Sequence, residues 1–457
     1  MSVTQQKLLV ANRGEIAVRI LRTAKKLGIR TVSIYTQSDA TAPHVALADE
    51  SVALRPDDDD PPTNSRRYLD AAHIADICVS RNVTLVHPGY GFLSENHEFA
   101  ALIESLGITW VGPTSQTIQA MGLKHVARSV AIAAGVSIVP GSEGLVRNLE
   151  QAKSDAQQIG YPLMLKSTAG GGGMGLIVCR NDEDLTVKFP EAQERAKSLF
   201  HNDGLFLERY FPEARHVEIQ IFGNGQGHVV HMGERECSVQ RRYQKVIEES
   251  PSPFLIHYSG LREQMYDAAI RMCKNMRYAS AGTVEFLVDN LSGEFFFLEM
   301  NTRLQVEHPV TEETHPGLDI VELMFHQAIT QRESKGGLTP EDLPQEKYGV
   351  ASSSPDIHAI EARVYCENPS ASFRPSPGVL QHVRFPSGEG WEWLRVDGWA
   401  ETGTTVTPFF DPLLAKIIVR GPTRQEAIAR MRKVLEHTSI CGPPNNLEYL
   451  EAVVEND

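Results

Sequence analysis

The stretch Glu299–His308 reads EMNTRLQVEH, and its alternate positions are Glu299, Asn301, Arg303, Gln305 and Glu307. In an extended chain alternate side chains share a face, so these five would project together while Met300, Leu304 and Val306 face the other way. Such alternation ordinarily marks the wet face of a half-buried strand. Two features argue for more. The preceding run Phe295–Leu298 is apolar on both faces, which suggests a strand inside a sheet. The polar set also joins two chemistries. Glu299 and Asn301 suit a hard cation, and Mg²⁺ typically takes one or two carboxylates, several waters and substrate phosphates. Arg303 and Gln305 suit a small oxyanion, with Glu307 in reach as a base. Glu285 lies on the neighbouring strand candidate Thr283–Val288, joined to Phe295 by the turn-rich Asn290–Gly293. If Val288 pairs with Phe295, Glu285 falls within a residue of Glu299 and adds a second carboxylate to the metal set.

Residues 170–175 read GGGGMG. Gly170, Gly172 and Gly175 formally satisfy GxGxxG, but that fingerprint needs a following helix, and Leu176–Cys179 favours a strand. No Lys-Ser/Thr follows, so the Walker form is excluded too. What remains is a strand–loop–strand hairpin whose bare amides can close over an anion. Lys166, four residues before the glycines, could meet a phosphate charge there. Four consecutive glycines carry a conformational-entropy cost that a plain surface turn avoids, which favours a phosphate lid. A lid paired with the polar face at 299–307 implies ATP-dependent activation of a small acid.

Positioning these groups requires a mixed fold. Lys7–Ala11, Thr31–Tyr35 and Thr84–His87 are strand candidates separated by helical patterns at Ile16–Leu27 and Ala71–Cys78, a βαβ rhythm that implies a parallel sheet. The middle region shows strands at 161–166, 176–179, 205–208, 216–222, 227–232, 283–288 and 295–300, an α+β pattern with antiparallel sheets. Asp57–Pro62 reads as a solvated loop and Ala351–Pro355 as a linker. A strand at Leu414–Val419 and a helix at Gln425–Leu435 follow.

The chain has 457 residues with 44 basic and 58 acidic side chains, a net charge of −14. That balance argues against general nucleic-acid binding, which rests on basic groups displacing phosphate counterions. No apolar run reaches 18 residues, so no membrane span is expected. Six cysteines without CxxC spacing read as free thiols, and Met1–Lys7 is too short for a leader, so a cytoplasmic location is expected.

Taken together, several motifs resemble the biotin carboxylase component of biotin-dependent carboxylases. They are Leu9–Arg19 (LVANRGEIAVR), His87–Asn96 (HPGYGFLSEN), Lys166–Gly175, Arg215–Gln220 (RHVEIQ), Gly233–Lys245 (GERECSVQRRYQK), Glu299–His308 and Glu361–Tyr365 (EARVY). The resemblance implies an ATP-grasp fold of three parts. Residues 1–114 would form a Rossmann-like pre-ATP-grasp domain, 115–345 the ATP-grasp core with its lid at about 140–210, and 346–457 a C-terminal biotin carboxylase cap.

It further implies that Lys124, Lys166 and the lid glycines Gly171, Gly172, Gly173 and Gly175 hold the ATP phosphates. Backbone groups of Glu208, Arg209 and Phe211 would meet the adenine, with His216 and Gln240 lining the nucleotide pocket. Glu285, Glu299 and Asn301 would hold Mg²⁺ or Mn²⁺. Lys245, Arg303, Gln305 and the Val306 amide would hold bicarbonate, Glu307 would take its proton, and Arg363 would stabilise the biotin enolate. The chain has Tyr243 where the family often has His, and Met174 where it often has a basic residue. Gly122–Arg128, Leu165–Gly175, Glu367–Gly378 and Val396–Trp399 resemble the urea carboxylase branch, often part of urea amidolyase. No Met-Lys-Met biotinylation site is present. An excised domain is therefore expected, with carrier and carboxyltransferase segments, and a second copy of itself, as partners. The competing expectations are an acyl-CoA or pyruvate carboxylase parent, another ATP-grasp ligase acting through an acyl phosphate, and a nucleotide-binding module without chemistry.

Overall fold

Short β-branched runs followed by amphipathic helices build the N-terminal sheet. The structure is a computed structural model that describes residues 5–55, 64–167, 176–200, 204–333, 336–348 and 356–456. The glycine cluster, the acidic stretch Asp57–Pro62 and the linker Ala351–Pro355 lie outside the described residues. Strands β1 (Lys7–Val10), β2 (Arg30–Tyr35), β3 (Glu50–Ala53), β4 (Leu85–His87) and β5 (Thr109–Trp110) form a parallel sheet in the order β3-β2-β1-β4-β5. The helix Gly14–Lys26 packs Ile16, Ile20 and Leu21 against this sheet, in a core shared with Phe222, Met324 and Phe325 of the middle region. Burial of that apolar stripe ties the two regions together, with Arg19 donating to Glu312 and Asp319 beside it.

A small antiparallel sheet follows in the order β7-β6-β8, from β6 (Leu163–Ser167), β7 (Leu176–Cys179) and β8 (Leu205–Arg209). The largest sheet is antiparallel with eight strands, and three two-stranded ribbons accompany it in the C-terminal region. It contains β9 (Ala214–Asn224), β10 (Val229–Arg241), β11 (Gln244–Ser250), β12 (Ala279–Asp289), β13 (Phe295–Asn301) and β14 (His358–Tyr365). Its order is β13-β12-β9-β10-β11-β14, then Leu413–Gly421, then Leu394–Gly398. The middle and C-terminal regions therefore share a sheet, joined where Ile247 faces Ala362 and Glu248 faces Glu361.

Close backbone approach in this sheet explains Gly223. A Cβ there would sit 2.1 Å from the Tyr278 carbonyl oxygen. Gly223→Ala is expected to destabilise the protein by about 1–3 kcal/mol, the usual cost of overpacking. A denaturant titration with an unchanged midpoint would show that the strand yields without cost.

One expectation is corrected. The extended reading of Glu299–His308 holds only to Asn301, where β13 ends. Residues 302–307 form a loop, and a helix begins at His308 with Pro309 in its first turn. Proline has no N–H for a ladder and favours a helix start, so the chain turns out of the sheet there. Arg303, Gln305 and Glu307 thus enter the site from a loop rather than a strand face.

Candidate active site

Register across neighbouring strands assembles the site from side chains that alternate along each one. Glu285 of β12 stands opposite Glu299 of β13 on one side and Glu218 of β9 on the other, and Glu218 stands opposite Arg235 of β10. One row across the sheet therefore reads Glu299, Glu285, Glu218, Arg235. The adjoining row reads Asn301, Thr283, Gln220. Cross-strand neighbours on one face lie close enough to interact directly.

Lys245 of β11 reaches into these rows. Its Nζ donates to Glu218 Oε2 at 2.5 Å, Glu307 Oε1 at 2.6 Å and Glu285 Oε1 at 3.0 Å. Arg363 of β14 donates to Glu307 Oε2 at 3.0 Å and to Glu248 Oε1 at 2.6 Å. Arg235, fully buried, donates to Glu218 Oε1 at 2.5 Å, Gln220 Oε1 at 2.7 Å and Gln305 Oε1 at 2.7 Å. Glu307 is therefore gripped by a lysine on one oxygen and an arginine on the other.

The charges set the titration behaviour. Burial pushes the Glu307 carboxyl up, but Lys245, Arg363 and Arg235 together hold it below the ordinary carboxylate range. Glu285 is likewise held low, burial being outweighed by Lys245 and His216. Lys245 is kept charged by its three carboxylates against the opposing effect of burial. Glu248 behaves oppositely: burial, helped by the charge of Glu307, outweighs Arg363 and lifts it to about 7. Burial also drives Glu361 well above the usual range, and neither of its oxygens has a hydrogen-bond partner among the described residues.

Most of the other expected residues converge on this face. His216 Nε2 lies 2.8 Å from Glu285 Oε2, and Gln240 Nε2 lies 3.2 Å from His216 Nδ1. Asn301 Nδ2 and Gln305 Nε2 donate to Glu285 Oε1 at 2.7 and 2.8 Å. Arg303 lies at the rim, donating to Glu95 Oε2 at 3.0 Å and to Asn301 Oδ1 at 2.9 Å. Glu299 ends its row open to solvent. His216, Glu218 and Glu285 also present ligand atoms within 4.8 Å of one another.

The small sheet carries the rest. Lys166 donates to Glu208, which also accepts from Arg128 at 3.2 Å. Lys166 faces Phe206 in register, and exposed Lys124 has its ammonium 5.8 Å from the Phe206 ring, so both lysines flank β8. Arg209 points away, donating to the Ile159 carbonyl, while Phe211 stacks on Phe296. The backbone amides of Arg209 and Tyr210 are bonded to the carbonyls of Pro140 and Pro162. The expected positions Gly171, Gly172, Gly173 and Gly175 are outside the described residues.

Beside Arg303 and Arg363 opens a cavity of about 420 Å³, lined also by Tyr90, Gln244, Phe410 and Asp411. Glu218, Arg235, Glu248 and Tyr90 were missed as site residues by sequence reasoning. Glu218 alternates with His216 and Gln220 within RHVEIQ, the period-two signal that could have found it. Arg235 reaches Glu218 across the local β9–β10 hairpin, whereas Glu248 gains its place through pairing of β11 with the distant β14.

The sequence matches three family profiles in order. They are "Biotin carboxylase, N-terminal domain" over residues 4–118, "Carbamoyl-phosphate synthase L chain, ATP binding domain" over 124–334, and "Biotin carboxylase C-terminal domain" over 361–457. Biotin carboxylase 1 of Bacillus subtilis is 43% identical over 452 residues, which cover 99% of this chain and 95% of that protein. The chain belongs to the biotin carboxylase family, with its ATP-grasp fold. A putative urea carboxylase of Emericella nidulans is 50% identical over 449 residues, 98% of this chain but 35% of that protein. The chain thus spans about a third of that longer relative. Among solved structures, the biotin carboxylase domain dimer of Hydrogenobacter thermophilus 2-oxoglutarate carboxylase, in complex with MgADP, ADP and bicarbonate, superposes with a TM-score of 0.88 at 40% identity, covering 99% of this chain and 94% of that one. No helix among the described residues is long and apolar enough to cross a membrane.

Proposed function

We propose that this chain carboxylates biotin with ATP and bicarbonate, the first half-reaction of a biotin-dependent carboxylase. The observation that carries the reading is Glu307, held between Lys245 and Arg363 beside the Glu299–Glu285–Glu218 row. Lys124, Lys166 and the lid glycines would take the ATP phosphates, with His216 and Gln240 against the nucleotide. The adenine would meet the groups of Glu208–Phe211 left free by the bonds to Pro140 and Pro162.

Glu285 and Glu299 stand opposite each other, with the Asn301 side chain beside Glu285. That set of hard oxygen donors fits a divalent cation held by Glu285, Glu299 and Asn301, with Mg²⁺ or Mn²⁺ as the ion. When bound, the metal would neutralise charge on the ATP phosphates.

Lys245, Gln305, Arg303 and the Val306 amide would seat bicarbonate. In the arrangement seen, Glu307 is too well paired to be a strong base. When bicarbonate takes over hydrogen bonds from Lys245, Glu307 loses a partner and its basicity rises. Glu307 then removes the bicarbonate proton, and the oxyanion attacks the γ-phosphorus, expelling ADP and forming carboxyphosphate. Breakdown of that species gives CO₂ and phosphate. The phosphate takes the biotin N–H proton, and the nitrogen bonds to CO₂. Arg363, at the cavity wall, would stabilise the negative ureido oxygen in that step.

Residues 1–114, 115–345 and 346–457 would be the three domains, and the parent would carry biotin carrier and carboxyltransferase segments. Urea is the proposed acceptor in that parent, supported by the 50% identity to the putative urea carboxylase. The expected result is metal-dependent ADP release that requires bicarbonate and rises with free biotin. Equal ADP release with and without bicarbonate would refute the reading. In the parent, phosphate release stimulated by an acyl-CoA and indifferent to urea would overturn only the acceptor.

A further inference from the structure

The loop between β13 and the helix His308–Thr314 carries the proposed base, yet it has no strand ladder to fix it. Its carbonyls are held one by one. The Leu304 carbonyl accepts from Arg303 Nη1 at 3.2 Å, that of Gln305 lies 2.7 Å from His308 Nδ1, and that of Val306 accepts from Lys416 Nζ at 2.8 Å. The first two contacts come from the loop's own ends. Among the described residues Lys416 alone comes from elsewhere, from the strand Leu413–Gly421 of the C-terminal region.

Lys416 is fully buried. Burying an ammonium is costly unless it is paired and hydrogen-bonded, and an apolar side chain would fill the same space without that cost. Its placement is set by register: Lys416 stands opposite Arg363 on one side and Asp397 on the other. Its Nζ lies 3.4 Å from Glu15 Oε2 and 3.9 Å from Asp397 Oδ2. Glu15, at the start of the first helix, also accepts from Tyr90 of the cavity wall. One ammonium thus joins the N-terminal helix, the catalytic loop and the C-terminal sheet.

The Val306 carbonyl and the Glu307 N–H belong to one planar peptide group. We infer that Lys416 is a positioning residue for Glu307, anchoring from the C-terminal sheet the peptide that carries the base. The inference rests on the reading of Glu307 as the base. Freeing this peptide shifts the carboxylate relative to bicarbonate, and displacement of about 1 Å can cost on the order of 10²-fold in rate.

The test is steady-state ADP release by wild type, Lys416→Met, Glu15→Gln and the double variant, with thermal melting of each. Lys416→Met is expected to lower kcat at least about tenfold while the KM for ATP stays within about twofold, because ATP binding does not use this peptide. A purely structural role would move melting and leave that split absent. Lys416→Met removes the cation beside Glu15, while Asp397 keeps Arg395. Should that prevent folding, the double variant, which removes one charge of each sign, decides against Glu15→Gln alone. A folded Lys416→Met, or a double variant matching Glu15→Gln, with wild-type kcat overturns the inference. Wild-type ADP release that ignores bicarbonate would instead overturn the proposed function.

Discussion

Glu307→Gln is expected to cut bicarbonate-dependent ADP release by about 10²–10⁴-fold, the usual worth of a general base. The amide keeps the shape of the carboxyl but has a single acceptor oxygen, so it can accept from Lys245 or from Arg363 and not from both, as the two carboxylate oxygens do. It cannot take a proton. ATP affinity should change little, because the lysines assigned to the phosphates lie on and beside the small sheet, away from Glu307. Equilibrium binding of ATP alongside turnover separates the two effects. Turnover within a few fold of wild type would place the base elsewhere.

Lys245→Met is expected to abolish turnover and to lower stability as well. Its ammonium is shared by Glu218, Glu285 and Glu307, of which Glu218 is fully buried and the other two nearly so. Removing one partner of a buried ion pair typically costs on the order of 3–5 kcal/mol, since the remaining charge is left uncompensated. The pH dependence fixes the cause. Burial raises Glu285 and Glu307, but Lys245, the leading opposing influence on both, brings them below the ordinary range. Their contribution to stability is therefore fully present above the unfolded-chain value, about 4.3, and is lost as pH falls through the depressed values. Without Lys245 that contribution shrinks to what Arg363, Arg235 and His216 supply, so the gap between wild type and variant should be widest near neutrality and should narrow in acid. Urea titrations at several pH values would show it. A gap that does not change with pH would mean that the lysine acts through packing alone.

Legibility followed sequence distance. The pairing of Glu285 with Glu299 was readable because the turn at Asn290–Gly293 fixes a local hairpin, and Val288 does face Phe295. Strands β1, β2 and β4 of the parallel N-terminal sheet were readable from short apolar runs alternating with the helical patterns at Ile16–Leu27 and Ala71–Cys78, whereas the short β3 and β5 were not. The strand ending at Asn301 was not anticipated, although Pro309 carried the signal. Period-two polarity persisted through Glu307 by coincidence of composition, and the proline decided the backbone. Glu248 and Lys416 were invisible as site members. Their strands reach Arg363 only through pairings of β14 with partners far away in the chain, and no local pattern sets that register. The row Glu218–Arg235 lay between these extremes: the alternation along β9 was in view, but its neighbour across the sheet was not.

The shared eight-stranded sheet limits how this enzyme can be divided. Cutting between β11 and β14 would strip from β11 its ladder with β14 and leave an open edge at Ile247–Ser250 whose N–H and C=O groups invite pairing with other chains. It would also take Arg363 away from Glu307. A gene fragment ending before β14 would therefore encode a sticky half-sheet rather than a smaller nucleotide-binding module. Exchange of parts between relatives is physically easier outside this sheet than across it, so the ATP-cleaving and biotin-facing halves are bound to be inherited as a unit.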